Sequence, residues 1–192
     1  TAAVPVVETM ELPETPIDMA VGLDHEQAAH DAVQAMINKG KTQIVYLAAR
    51  LDTRTQLRQK GYERAMTQAG LTPRCVATEA HSSFSLGETL LNQTLAQYPN
   101  CDGLFCTNDD LAVGALLACK QQGIGVPEAL SIVGYNALDI GTVVSPRLTS
   151  VATPRELIGE RSATLLIQAL SGETITEKVH AIPHTITDGG SL

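Results

Sequence analysis

Three arginines at four-residue intervals, Arg50, Arg54 and Arg58, stand with Asp52 and Thr53 among them where an apolar run gives way to a polar one. A guanidinium presents a planar fork of N–H donors that grips a carboxylate through paired hydrogen bonds. On a helix beginning near Thr53, Arg54 and Arg58 share one face, and the helix N-terminus adds positive potential beside them. The same residues would also serve as a solvated face with ordinary helix ion pairs. A second group, Thr107-Asn-Asp-Asp110, ends the apolar run Gly103-Leu-Phe-Cys106. Asn108 or Asp109 suits the N-cap of a following helix, whose dipole favours adjacent carboxylates. Helix capping accounts for one of the adjacent acids Asp109 and Asp110, and the alternative is that Asn108 or Asp109 also points into a crevice. A third group, Gly134-Tyr-Asn136, closes the run Leu130-Ser-Ile-Val133. Polar loops of this kind fit the binding of a small polar molecule.

Other chemistries are poorly served. Gly123-Ile-Gly125 lacks a phosphate-loop context and precedes a strand, so it reads as a helix C-cap and turn. No G-x-S-x-G elbow occurs, and Gly189-Gly-Ser191 is a terminal tail. His25 and His30 are five apart on one predicted helix, off a common face; these, His81, His180 and His184 read as surface or capping residues. Cys75, Cys101, Cys106 and Cys119 have no metal-ligand spacing and read as buried or half-buried cytosolic thiols. Neither an enzyme nor a bound metal or cofactor is expected. A net charge of −8 without a Lys/Arg cluster removes a nucleic-acid footprint from this segment. With 3% aromatic residues and no Trp, base- or sugar-stacking platforms are not expected. No apolar run is long enough to span a bilayer, and no basic n-region opens the chain, so a cytoplasmic location without membrane association is expected.

The elements that position these loops alternate. Strands are predicted at 4–7, 43–48, 75–77, 103–106 and 130–133, with helices at 26–39, 54–69, 86–97 and 110–122. Short, Gly-bearing connections make this an α/β chain with a doubly wound parallel sheet, in which loops leaving the strands' carboxyl ends line the ligand crevice. The tail breaks the rhythm: Pro154 precedes a helix over 155–170, and 179–187 returns as a strand-like segment. The first strand and this late helix look like pieces of a second lobe.

Several segments resemble the LacI/GalR family of bacterial transcription regulators, in its effector-binding core. They are Val-Gly-Leu-Asp24, Gly61-Tyr-Glu-Arg-Ala-Met66, Phe105-Cys-Thr-Asn-Asp-Asp-Leu-Ala-Val-Gly-Ala115, Val126-Pro-Glu-Ala-Leu-Ser-Ile-Val-Gly-Tyr135 and Pro146-Arg-Leu-Thr-Ser-Val151. Tyr46 to Thr55, Gln59-Lys-Gly-Tyr62 and Asn136 to Gly141 are similar to members that respond to gluconate. The resemblance implies a periplasmic-binding-protein-like fold of two Rossmann-like lobes around a cleft, the first lobe incomplete here. Residues 1–18 and 150–172 would belong to the first lobe, and 19–149 with 173–192 to the second. The helix-turn-helix DNA-binding domain would precede residue 1. The implied protein is a homodimeric repressor that meets operator DNA only through that domain.

Effector contacts carried over from the family fall on Asp52, Arg54, Arg58, Ser82, Asn108 and Asn136. Ser82 stands where relatives often carry an aromatic residue, so that stacking contact is lost. Asn136 stands where the family carries a sugar-chelating Asp. An Asp would repel a ligand carboxylate, whereas neutral Asn beside two arginines suits a sugar acid such as gluconate. The rival reading is a periplasmic sugar-binding protein of the same fold.

Overall fold

Short apolar runs bounded by polar turns build the strands, and the connecting segments coil into helices that cover them. The computed structural model describes residues 4–192; residues 1–3, assigned above to the first lobe, lie outside the described residues. In chain order the elements are β1 (Val7–Met10), β2 (Met19–Gly22), α1 (His25–Asn38), β3 (Ile44–Ala49), α2 (Thr53–Gln68), β4 (Cys75–Thr78), α3 (Phe84–Gln97) and β5 (Gly103–Cys106). There follow α4 (Asp109–Gln122), β6 (Ser131–Asn136), α5 (Ile140–Val143), β7 (Thr149–Ala152), α6 (Arg155–Leu170), β8 (Val179–Ala181) and β9 (Thr185–Ile186).

The described chain divides into two compact units. The larger comprises Glu26–Ala152 and Thr185–Leu192. Its sheet runs β4-β3-β5-β6-β7-β9, with every pair parallel except the antiparallel β7–β9 edge. β3 and β5 are buried throughout, as parallel strands covered on both faces must be. Val45, Leu47, Leu104, Cys106 and Ile132 pack against Leu90, Leu91, Leu111 and Leu116 from α3 and α4. α3 and α4 touch backbone to backbone: a Cβ on Gly114 would lie 1.9 Å from the Phe84 carbonyl oxygen, and one on Gly87 would lie 2.3 Å from that of Leu111. Ser191 anchors the final residues, donating from Oγ to the Ile132 carbonyl at 2.6 Å and accepting from the Thr149 amide at 2.8 Å.

The smaller unit comprises the segment ending at His25 together with Thr153–His184. Its three strands run β1-β2-β8, all parallel, and α6 packs on β1 and β2. Met19, Val21, Ile158 and Leu165 are its buried core.

Four sequence expectations change. The first strand begins at Val7 rather than at Val4, because Pro5 has no N–H and the Val6 amide is spent on the Asp18 carboxylate. The strand-like segment 179–187 splits, β8 joining the small sheet and β9 the large one. The units also divide a strand later than the lobes 1–18 with 150–172 and 19–149 with 173–192. β2 is hydrogen-bonded to β1 and β8 to β2, which draws residues 19–25 and 173–184 into the smaller unit; residues 150–152, in β7, join the larger. His25, expected as a surface or capping residue, is 1% exposed, with Nε2 3.1 Å from the Met10 carbonyl oxygen. The cysteines are free; Cys101, Cys106 and Cys119 are buried and Cys75 is half-buried. Burial pushes the Cys75, Cys101 and Cys119 thiols up to about 11.

Candidate functional site

In the larger unit, the carboxyl ends of β3, β5 and β6 open onto one hollow of about 120 Å³. It is where a ligand crevice belongs in a parallel sheet. Arg50, Asp52, Arg54 and Arg58 line it from the β3 side, Ser82 from the turn before α3, Asn108 from the end of β5 and Asn136 from the end of β6. The six effector contacts implied by the family resemblance are thus brought together, with Arg50 beside them.

Each is held by its element. Asp52 is the N-cap of α2, accepting from the Thr55 amide at 2.9 Å. Partial burial raises its carboxyl, but hydrogen bonds from Thr55 and the charges of Arg54 and Arg58 outweigh this and hold it below its ordinary value. Its other oxygen lies 3.9 Å from the Arg54 guanidinium, a loose pair at a half-exposed position. Asn108 caps α4, accepting from the Leu111 amide at 3.2 Å through Oδ1, which leaves the amide N–H2 group for the hollow.

Arg58 is the most enclosed of the basic residues, at 7% exposure. Its guanidinium lies 3.8 Å from the centroid of the Tyr135 ring and donates from Nη1 to the Thr107 carbonyl at 2.6 Å. Its buried Nε has no hydrogen-bond partner among the described residues. Beneath it Tyr46 is stacked on Tyr62 and Phe105, with its hydroxyl 3.0 Å from both the Thr55 carbonyl oxygen and Thr107 Oγ1. Burial drives the Tyr46 phenol upward, so it stays neutral and works as a hydrogen-bonding floor that ties α2 to β3 and β5.

The backbone is unusual at two of the three strand ends. Arg50 and Leu51 have φ of 70° and 49°, and Asn136 and Ala137 have φ of 105° and 49°. Left-handed residues other than glycine cost about 1–3 kcal/mol each and gather at ligand sites, where surrounding contacts enforce them. Here Asp109 supplies such contacts. It is wholly buried, accepting from Ser150 Oγ at 2.6 Å and from the Leu138 amide at 2.5 Å, just past the Asn136–Ala137 turn. Burial pushes its carboxyl up to about 6, against hydrogen bonds from Ser150, Leu138 and Tyr135 that favour the charged form. The two sequence alternatives therefore resolve: Asn108 caps the helix and also faces the hollow, while Asp109 turns inward and lines a neighbouring cavity of about 160 Å³.

The sequence offered Asp109 only as a cap or crevice residue and Tyr135 only as part of a polar loop, and it left Arg50 in the basic loop without an effector contact. A Tyr directly before a polar strand end, level with an arginine, was the available signal for the stacking partner. A larger, open hollow of about 650 Å³ belongs to the smaller unit at the start of α6. It sets Arg155 against Glu156 and Glu160, so it holds no excess of cationic groups. Among the described residues no cluster of His, Cys, Asp or Glu could hold a metal ion, and no helix is long and apolar enough to cross a membrane.

Comparison with known proteins places this geometry. Residues 33–192 match the periplasmic binding protein-like domain family. Over 191 residues the chain is 47% identical to the HTH-type transcriptional regulator GntR of Escherichia coli strain K12, covering 100% of this chain and 58% of that protein. It is 40% identical to the HTH-type transcriptional regulator IdnR of the same strain, again covering 58% of its length. The chain thus spans less than two thirds of these curated relatives. The crystal structure of transcription regulator GntR from Chromobacterium violaceum superposes with a TM-score of 0.95 at 37% identity, covering 98% of this chain and 70% of that one. A LacI family transcriptional regulator from Silicibacter pomeroyi superposes with a TM-score of 0.90 at 30% identity, covering 99% of this chain and 70% of that one.

Proposed function

We propose that this chain, which belongs to the LacI family of transcriptional regulators and has its periplasmic-binding-protein-like fold, is the effector-binding core of a repressor that responds to a sugar acid, gluconate or a close relative. The observation that carries the reading is the charge of the hollow: Arg50, Arg54 and Arg58 face one carboxylate, Asp52, and both asparagines are neutral. Asp52 is already engaged as a helix cap, so the excess positive charge is available to an anionic ligand. Asn108 and Asn136 supply amides for sugar hydroxyls, and Ser82 a small hydroxyl in place of an aromatic platform. No step of catalysis is assigned to the site, in keeping with relatives that are transcriptional regulators.

Regulation follows from differential affinity. An effector shifts a two-state equilibrium only by as much as it prefers one state. In a repressor the sugar acid favours the arrangement that releases operator DNA. DNA contact belongs to the helix-turn-helix domain of the full-length cytoplasmic protein, acting as a homodimer. The exposed apolar side chains Phe84, Leu117 and Val143 on α3, α4 and α5 suit contact with a second copy; a full-length protein that sediments as a monomer would remove that part.

The test is calorimetric titration of the full-length protein with gluconate, glucose and galactose. A charge-assisted hydrogen bond contributes about 1.5–3 kcal/mol, so gluconate should bind at least ~10-fold more tightly than the neutral hexoses. It should also release operator DNA in a gel-shift assay. Tighter binding of glucose than of gluconate would sink the sugar-acid reading.

A further inference from the structure

Arg50 lines the hollow, yet neither its sequence position nor any cap or core role accounts for how it is held. Its backbone is in the left-handed region at φ 70°, followed by Leu51 at 49°, directly after the buried strand β3. The turn is closed by the Arg50 amide donating to the Ala80 carbonyl at 3.1 Å. The side chain repeats this link: Nε lies 3.0 Å and Nη2 2.8 Å from Nδ1 of His81. A guanidinium only donates, so Nδ1 accepts and the imidazole proton sits on Nε2. Residue 81 adjoins Ser82, another wall of the same hollow. The Arg50–His81 pair is exposed, where an ordinary ion pair contributes little to stability, and it pairs a cation with a neutral base rather than with an acid. The arrangement orients the guanidinium without neutralising it, and Nη1 keeps its donors.

We propose that Arg50 is a specificity-determining residue of this site, a third guanidinium that reads the ligand's anionic group, and that His81 is its positioning residue. The proposal rests on the sugar-acid reading above and deepens it by dividing the cationic wall. Arg58 is enclosed, stacked on Tyr135 and bonded to the Thr107 carbonyl, and Arg54 shares its charge with Asp52. Arg50 has no acid among its hydrogen-bond partners, and at the rim it can meet a carboxylate as the ligand enters. Selection between a sugar acid and the parent neutral sugar therefore falls most heavily on Arg50.

The experiment is titration of the full-length protein and its Arg50→Met, His81→Ala and His81→Gln variants with gluconate and with glucose, alongside the unfolding midpoint of each without ligand. Arg50→Met keeps the apolar stem and removes the charge. It should lose ~10-fold or more in gluconate affinity, a worth of about 1.4 kcal/mol, with glucose binding and the midpoint unchanged. His81→Ala should lose part of the same preference. His81→Gln should restore it, since the Gln Oε1 can accept from the guanidinium as Nδ1 does. Arg50→Met binding gluconate like the wild type would overturn the proposal. Equal losses for gluconate and glucose would overturn it too, by showing that Arg50 only supports the fold. A wild-type protein that takes no sugar acid fails at the first titration, before any variant is compared, and refutes the sugar-acid reading on which the proposal stands.

Discussion

Asp109 is the one acidic residue buried among the described residues, and its chemistry is set by two opposing effects. Removal from water raises its carboxyl from 3.8 to about 6, while hydrogen bonds from Ser150, Leu138 and Tyr135 pull the other way. Its folded-state value thus lies above the unfolded one, so between about pH 4 and 6 the folded protein holds a proton that the unfolded chain releases. The Asp109 contribution to stability accordingly falls as pH rises through that window, by an upper bound of about 3 kcal/mol. Asp52 works in the opposite sense: it is held below its ordinary value and its contribution is lost on acidification. Urea unfolding of wild type and Asp109→Asn across the range cancels Asp52, which both share. The advantage of wild type over the variant should shrink from about pH 4 to about pH 7, and a growing advantage would contradict the burial argument. At this scale the sequence was most legible where a residue type carries its own chemistry, as with Arg58 or Asn108. It was least legible where position decides. Nothing in Asn-Asp-Asp says which acid turns inward, and Ala137 gives no hint of its left-handed backbone.

The same division holds among the elements. The long helices were readable within about two residues, since their apolar positions recur at helical spacing over three or more turns. The four-residue strands β2 and β7 went unassigned. Met19–Gly22 is too short to show a period, and Thr149–Ala152 mixes hydroxyl and apolar residues on a strand buried by its neighbours. Close helix contact was also hidden, although its cause is a residue type. Gly114 lets α4 approach the Phe84 carbonyl, and an added Cβ there would lie 1.9 Å from that oxygen. Alanine is the better helix former by about 1 kcal/mol, so propensity alone predicts that Gly114→Ala stabilises. Overpacking against backbone opposes this and should win, costing about 1–3 kcal/mol net. Gly159 in α6 is the matched control, because nothing lies within 4 Å of its added Cβ. Denaturant midpoints should fall for Gly114→Ala and hold or rise for Gly159→Ala; a rise in both would mean that the α3–α4 contact gives way easily.

On the scale of the whole chain, the two units are unequally provided with core. The larger buries an extensive cluster running from Val45 and Leu47 through Leu104 and Leu111 to Ile132 and Leu148. The smaller buries Met19, Val21, Ile158 and Leu165, while Val4, Ile17, Leu157, Ile167, Leu170 and Val179 stay exposed. The sequence showed that the tail left the α/β rhythm, but it could not show where the units divide. That boundary is fixed by which strand hydrogen-bonds to which, and parallel pairing joins segments as distant as Ala20 and Val179. Local opening costs least where few apolar contacts are buried, so the two units should differ in protection. In hydrogen exchange on this chain by itself, amides of β3, β5 and β6 should exchange slowest. Those of β1, β2 and β8 should exchange faster although every strand pair involved is parallel, because backbone pairing under a smaller apolar core resists opening less. Equal protection in both sheets of the isolated chain would mean that core size does not govern their stability.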